Sequence, residues 1–86
     1  MAYYQILNWG GIPSQIKVWD DADELKMELP PRFAAHIDAT AQARGLTSTE
    51  DYLAQWSWSD EEEREGDAAT VAAQLMSELE RKFPPG

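Results

Sequence analysis

Cysteine is missing from all 86 positions of the chain, which removes disulfides, thiolate metal sites and thiol nucleophiles together. A domain of this size buries only about 60–65% of the surface its unfolded chain exposes, so a secreted one usually needs such staples. A reducing, cytoplasmic setting is the expectation. Histidine occurs once, and basic residues are scarce: seven Lys and Arg stand against sixteen Asp and Glu, a formal net charge of −9. A phosphate backbone or an anionic bilayer repels such a surface, so neither nucleic acid nor membrane is an expected partner. No apolar run approaches the ~20 residues that span a bilayer. The opening MAYYQILNWGG has neither the charged nor the apolar segment of a signal peptide.

What the chain does have is four tryptophans, more than a core this small hides easily. One of them closes a first strand, Tyr3 to Trp9, rich in aromatic and branched residues and stopped by Gly10-Gly11. Alternation puts Tyr3, Leu7 and Trp9 on one face and Tyr4 and Ile6 on the other, a pattern that suits a central strand. Two cleaner alternations follow. Ile16 and Val18 point inward against Gln15, Lys17 and Trp19; Leu25, Met27 and Leu29 point inward against Glu24, Lys26 and Glu28. The polar loop Asp20-Asp21-Ala22-Asp23 is of hairpin length. Setting Trp19 opposite Glu24 matches Val18 with Leu25 and Ile16 with Met27, and a one-residue slip destroys the match. The same register opposes Lys17 and Lys26, a mild penalty that diagonal Glu24 and Glu28 offset.

Pro30-Pro31 ends the third strand and opens a helix over 31–44, whose stripe is Phe33, Ile37 and Ala41 with Ala34 beside them. Gly45 is a left-handed cap with Leu46 as its apolar contact. Thr47-Ser48-Thr49-Glu50 spells a capping box for a short second helix that carries Tyr52, Leu53 and Trp56 inward. Ser57 to Gly66, with its like-charge run Asp60-Glu61-Glu62-Glu63, has no apolar period and is expected to be a loop. Asp67 caps a last helix whose buried face is Ala68, Val71, Ala72, Leu75, Leu79 and Phe83, with Glu78 and Lys82 paired outside and Pro84-Pro85-Gly86 as the stop. The expected fold is therefore α+β: one domain over 1–86, a three-stranded antiparallel sheet followed by three helices packed on one face.

No catalytic constellation emerges. His36 sits beside the stripe of its helix with no nucleophile marked near it, and metal or hydrolytic chemistry needs several converging groups. The acidic loop at 20–24 lacks the glycine and the terminal glutamate of a calcium loop. No enzyme activity, cofactor or metal is expected. The run Gly10-Gly11-Ile12-Pro13-Ser14-Gln15 is either a connector or a contact loop flanked by Trp9 and Trp58. Flat rings beside glycines are typical of protein-interface anchors, so Trp9, Gly10, Gly11, Ile12, Pro13, Gln15 and Trp58 are the candidate partner-binding residues. The acidic run is placed to steer a basic partner. A competing layout lies at residues 25–56, whose strand–helix–helix order resembles ribbon–helix–helix antitoxins and repressors. Its outward strand residues, Glu24, Lys26 and Glu28, are poorly suited to a DNA groove.

Trp9 to Ile16, an aromatic residue followed by Ile-Pro-Ser-Gln-Ile after a Tyr-rich strand, resembles the start of a small bacterial family known only as "virulence factor". Tyr52-Leu53-Ala54-Gln55-Trp56-Ser57-Trp58 and Arg64-Glu65-Gly66 are similar to its second half, so the likeness spans nearly the whole chain. Gly10-Gly11 departs from it, since a charged pair is expected there. The resemblance implies an accessory subunit rather than a catalyst, associated with corrinoid- or folate-dependent one-carbon methyltransferase proteins or with larger scaffolding domains.

Overall fold

A computed structural model describes residues 1–46 and 48–82. Strands β1 (Ala2–Trp9) and β2 (Ile12–Trp19) are joined by Gly10-Gly11, whose φ values of 55° and 89° suit the two-residue hairpin turn that only glycine enters freely. β3 (Glu24–Glu28), α1 (Pro31–Ala43), α2 (Thr49–Leu53), β4 (Trp56–Trp58), β5 (Glu62–Arg64) and α3 (Ala68–Lys82) follow in order. The sheet is antiparallel throughout, in the order β3-β2-β1-β4, with β5 also on β1. β1 is thus the central strand its two half-apolar faces predict. The β2–β3 hairpin has the expected register, with Val18 opposite Leu25, Ile16 opposite Met27 and Lys17 opposite Lys26.

The sheet has five strands rather than three, because part of 57–66 is not a loop. Leu7 faces Trp58 and Tyr4 faces Glu62, so three residues of the outer segment span two of β1, which is a bulge. Ser59 pins it: its N–H donates to the Ile6 carbonyl at 2.8 Å, and its Oγ accepts from the Ile6 N–H at 2.8 Å. A run of carboxylates shows no apolar alternation, yet its backbone supplies the partners that a central strand needs on its second edge. Trp56 belongs to β4 rather than to the second helix, which ends at Leu53, itself 57% exposed.

α3 packs Ala68, Val71, Ala72, Leu75 and Leu79 against Tyr4, Ile16 and Val18, with Leu29 and Phe33 completing this cluster. Each Val, Leu, Ile or Phe side chain among them, fully buried, contributes about 1.5–3 kcal/mol. A second cluster joins Trp9 and Ile12 to Ile37 and Ala41 of α1, with Leu46, Tyr52 and Trp56 packed around it. Ala34 is exposed, outside the α1 stripe. Gly45 has φ 70°, and the Leu46 N–H donates to the Ala41 carbonyl, as a left-handed helix end requires. Ser48 caps α2, its Oγ accepting from the Asp51 N–H at 3.2 Å; Thr47 of the expected capping box lies outside the described residues, as do Phe83 and the Pro84-Pro85-Gly86 stop. Asp67 caps α3 through the Thr70 N–H at 2.7 Å. Glu78, expected to pair with Lys82, instead holds Arg64 in a two-point contact at 2.6 and 3.1 Å. No helix among the described residues is long and apolar enough to cross a membrane. The shortest extent of the molecule is 15 Å, room for the sheet and one helical layer.

Candidate docking face

Residues directly opposite each other in a sheet share a face, so the pairings assign the side facing away from the α3 cluster. One row runs Glu63, Tyr3, Trp19, Glu24; the next Gln5, Lys17, Lys26; the third Trp58, Leu7, Gln15, Glu28. None of these side chains joins either core cluster. Tyr3 and Trp19 stack with centroids 6.1 Å apart and planes at 27°. The Lys17 ammonium lies 5.5 Å from the Trp19 ring and 3.4 Å from the Glu24 carboxylate. Trp58 is 48% exposed. Between Trp58 and the lysines is a hollow of about 280 Å³, floored by Gln5 and Gln15.

The seven residues expected from sequence divide. Trp58 and Gln15 meet at this hollow. Gly10 is half-buried, its N–H donating to the Gln55 carbonyl at 3.0 Å, and Gly11 is exposed at the turn. Trp9, expected at the surface, is fully buried: its indole N–H donates to the Tyr52 carbonyl at 2.8 Å and its ring lies 5.3 Å from that of Tyr52. Ile12 and Pro13 are buried too. Helices α1 and α2 cover this end of the sheet, with Ile37, Ala41 and Tyr52 packed around Trp9 and Ile12. β2 also carries a second bulge, since Leu7 pairs with Gln15 but Asn8 with Pro13, leaving Ser14 as an extra residue. The bulge breaks the alternation, so that adjacent Ile12 and Pro13 both go under cover. The expected anchor at Trp9 is thus part of the core in this chain. Tyr3, Gln5, Lys17, Trp19 and Lys26 were not among the expected binding residues, although the outward row of the predicted hairpin already contained three of them.

Groups with displaced pKa values serve structural ties. The Tyr4 hydroxyl donates to Glu62 at 2.7 Å, and that hydrogen bond, with burial, pushes it up. The contact between Arg64 and Glu78 raises the guanidinium and lowers the carboxyl. Backbone N–H donors lower Asp20 (Ala68 foremost) and Asp67 (Thr70). His36 is exposed on α1. Among the described residues no group of three or more His, Asp or Glu side chains is arranged to hold a metal ion.

Fold and face together define a small α+β domain whose sheet is helix-covered at the α3 cluster and aromatic on the opposite side. The chain belongs to the virulence factor family: the family model described as "Virulence factor" matches residues 7–85. Neither a curated protein nor a solved structure matches the chain.

Proposed function

We propose that the chain is a non-catalytic protein-interaction domain, an accessory subunit that docks onto a larger protein through the open face of its sheet. The observation that carries this is the placement of Tyr3, Leu7, Trp19 and Trp58 on rows that no core cluster covers. Trp58 is exposed and Tyr3, Leu7 and Trp19 are half-buried; accessible aromatic surface with a polar surround is the composition of binding hot spots. The net charge of −9 and the Asp60–Glu63 segment beside Trp58 steer a partner with a basic exterior. The family resemblance adds the setting, a cytoplasmic one-carbon methyltransferase-type enzyme system.

A ribbon–helix–helix repressor built on residues 25–56 has less in its favour. β3 is already paired with β2, α2 has five residues and none of them buried, and Glu24 and Glu28 flank Lys26 on the strand's outward side.

The test is quantitative affinity capture from the source cells with the wild-type chain and with Trp58→Ala. A specific partner held by the first and lost from the second supports docking through this face. Equal retention by both places the contact elsewhere.

A further inference from the structure

We infer that the hollow between Trp58 and the Lys17–Lys26 pair seats a carboxylate carried by an acidic segment of the partner protein; this deepens the docking function above and rests on it. The chain has only three lysines, and two stand directly opposite each other in the middle of the open face. Like charges in that position destabilise a sheet, and nothing in the core calls for them. Glu24 offsets part of that cost through Lys17, and a local rule broken without full compensation is a mark of a functional position. An anion between the two ammonium groups reverses the sign of their interaction.

The rest of the hollow fits the same guest. Lys17 is committed in part to Glu24, whereas Lys26 makes no ion pair among the described residues. Gln5 uses one amide N–H on the Ser59 carbonyl at 3.1 Å and keeps a second. Gln15 offers another amide from the adjacent strand. Trp58 gives the methylenes of an Asp or Glu side chain an apolar wall. About 280 Å³ is below the size of ordinary metabolite pockets and suits a single side chain, which favours a segment of a protein over a free small molecule.

Net charge does not contradict an acidic guest, because the two act at different ranges. Beyond a Debye length of about 8–10 Å the partner meets the field of the whole chain, which selects a basic exterior. Inside the hollow it meets two lysines and no carboxylate among the lining residues, with Glu24 and Glu28 on the flanking rows. A second copy of this chain is the poorer occupant, since it brings a further −9 over its whole surface.

The experiment titrates the full chain with N-acetyl-diglutamate amide, and in parallel with N-acetyl-dilysine amide, following the Trp58 indole and the Gln5 and Gln15 side-chain amides by NMR. The glutamate peptide is expected to move these signals, and Lys26→Gln to weaken it about tenfold, the value of one charge-assisted hydrogen bond. Absence of shifts, equal shifts in Lys17→Gln/Lys26→Gln, or shifts with the lysine peptide overturn the inference. So does self-association that moves the same signals without peptide. In the capture experiment, a partner lost from Trp58→Ala but fully held by Lys17→Gln/Lys26→Gln refutes the carboxylate seat and leaves docking intact. A partner held by both variants refutes docking through this face.

Discussion

The Asp20 carboxylate accepts a hydrogen bond from the Ala68 N–H at 2.8 Å, tying the β2–β3 turn to the first turn of α3 across 48 residues of chain. Its other oxygen accepts from the N–H groups of Ala22 and Asp23 at 2.8 and 2.7 Å. One side chain therefore shapes a hairpin turn and satisfies a helix end that Asp67 caps from its own side.

These ties make stability depend on acid. Asp20, Asp67 and Glu78 all have carboxyl pKa values lowered in the folded chain, by the Ala68 N–H, the Thr70 N–H and Arg64 respectively. A lowered folded pKa gives stabilisation that is complete above the unfolded value, about 3.9–4.3, and is lost as pH falls through the folded value. The urea midpoint is expected to stay level down to about pH 5 and to fall below about pH 4. Asp20→Asn should lower the midpoint at neutral pH and make the acid fall shallower. An unchanged acid slope in that variant would show that Asp20 is not a source of it.

Two tryptophans on neighbouring strands should respond very differently. Trp9 has no exposed surface, so Trp9→Ala is expected to cost about 3–5 kcal/mol, a large share of the 5–15 kcal/mol available to a domain. Trp9→Phe keeps most of the packing and removes the donor to the Tyr52 carbonyl, which also accepts from the Gln55 N–H at 3.2 Å. It should cost about 1–2 kcal/mol. Trp58→Ala should stay within about 0.5 kcal/mol of wild type. Urea unfolding of the three variants separates the core indole from the surface one.

Where pairing follows from alternation, the sequence was a sufficient guide: the β2–β3 register and the α3 stripe both rest on apolar residues that reach the core only in one arrangement. The outer edge of the sheet was not legible. Residues 59–63 are polar and acidic, and they join β1 through backbone groups that every residue shares, with the Ser59 hydroxyl and Glu62 carboxylate adding side-chain contacts that show no apolar pattern. Trp9 was misplaced because its cover comes from Ile37, Ala41 and Tyr52, distant in the chain. Ile12 and Pro13 were misplaced because a bulge at Ser14 shifts the end of β2 by one residue, and nothing in Ile-Pro-Ser-Gln announces it. The open face lay halfway between, since the opposed lysines followed from the hairpin register but the neighbouring contributions of Gln5 and Trp58 required the five-stranded sheet.

The glycine turn is expected to affect folding and leave the face alone. At Gly11 a Cβ would meet no atom within 4 Å, so Gly11→Ala suffers only from its φ of 89°, a strain of about 1–2 kcal/mol. Gly10→Asn should cost less, because φ 55° is a conformation asparagine tolerates and the nearest atom, 3.3 Å from the added carbon, is the movable end of Arg44. Neither residue lines the hollow. Both variants should shift the thermal midpoint with peptide binding at Trp58 unchanged; a loss of binding would make the turn part of the contact surface.

Ser59 decides whether the acidic edge stays on the sheet. Its hydroxyl is the acceptor for the half-buried Ile6 N–H, and its own N–H and carbonyl bind the Ile6 carbonyl and Gln5. In Ser59→Ala the Ile6 N–H loses its acceptor at a bulge where no ladder hydrogen bond replaces it, a penalty of about 1–3 kcal/mol. Much of that energy can be relieved locally, by letting 56–64 lift from β1 while the α3 cluster stays packed. Hydrogen exchange should therefore quicken at Ile6 and Ser59 far more than at Val18 or Val71. Ser59→Thr keeps the hydroxyl and should restore protection. Uniform quickening across the chain would instead mean that this edge and the core open as one unit, and that Trp58 is held as firmly as the residues beneath α3.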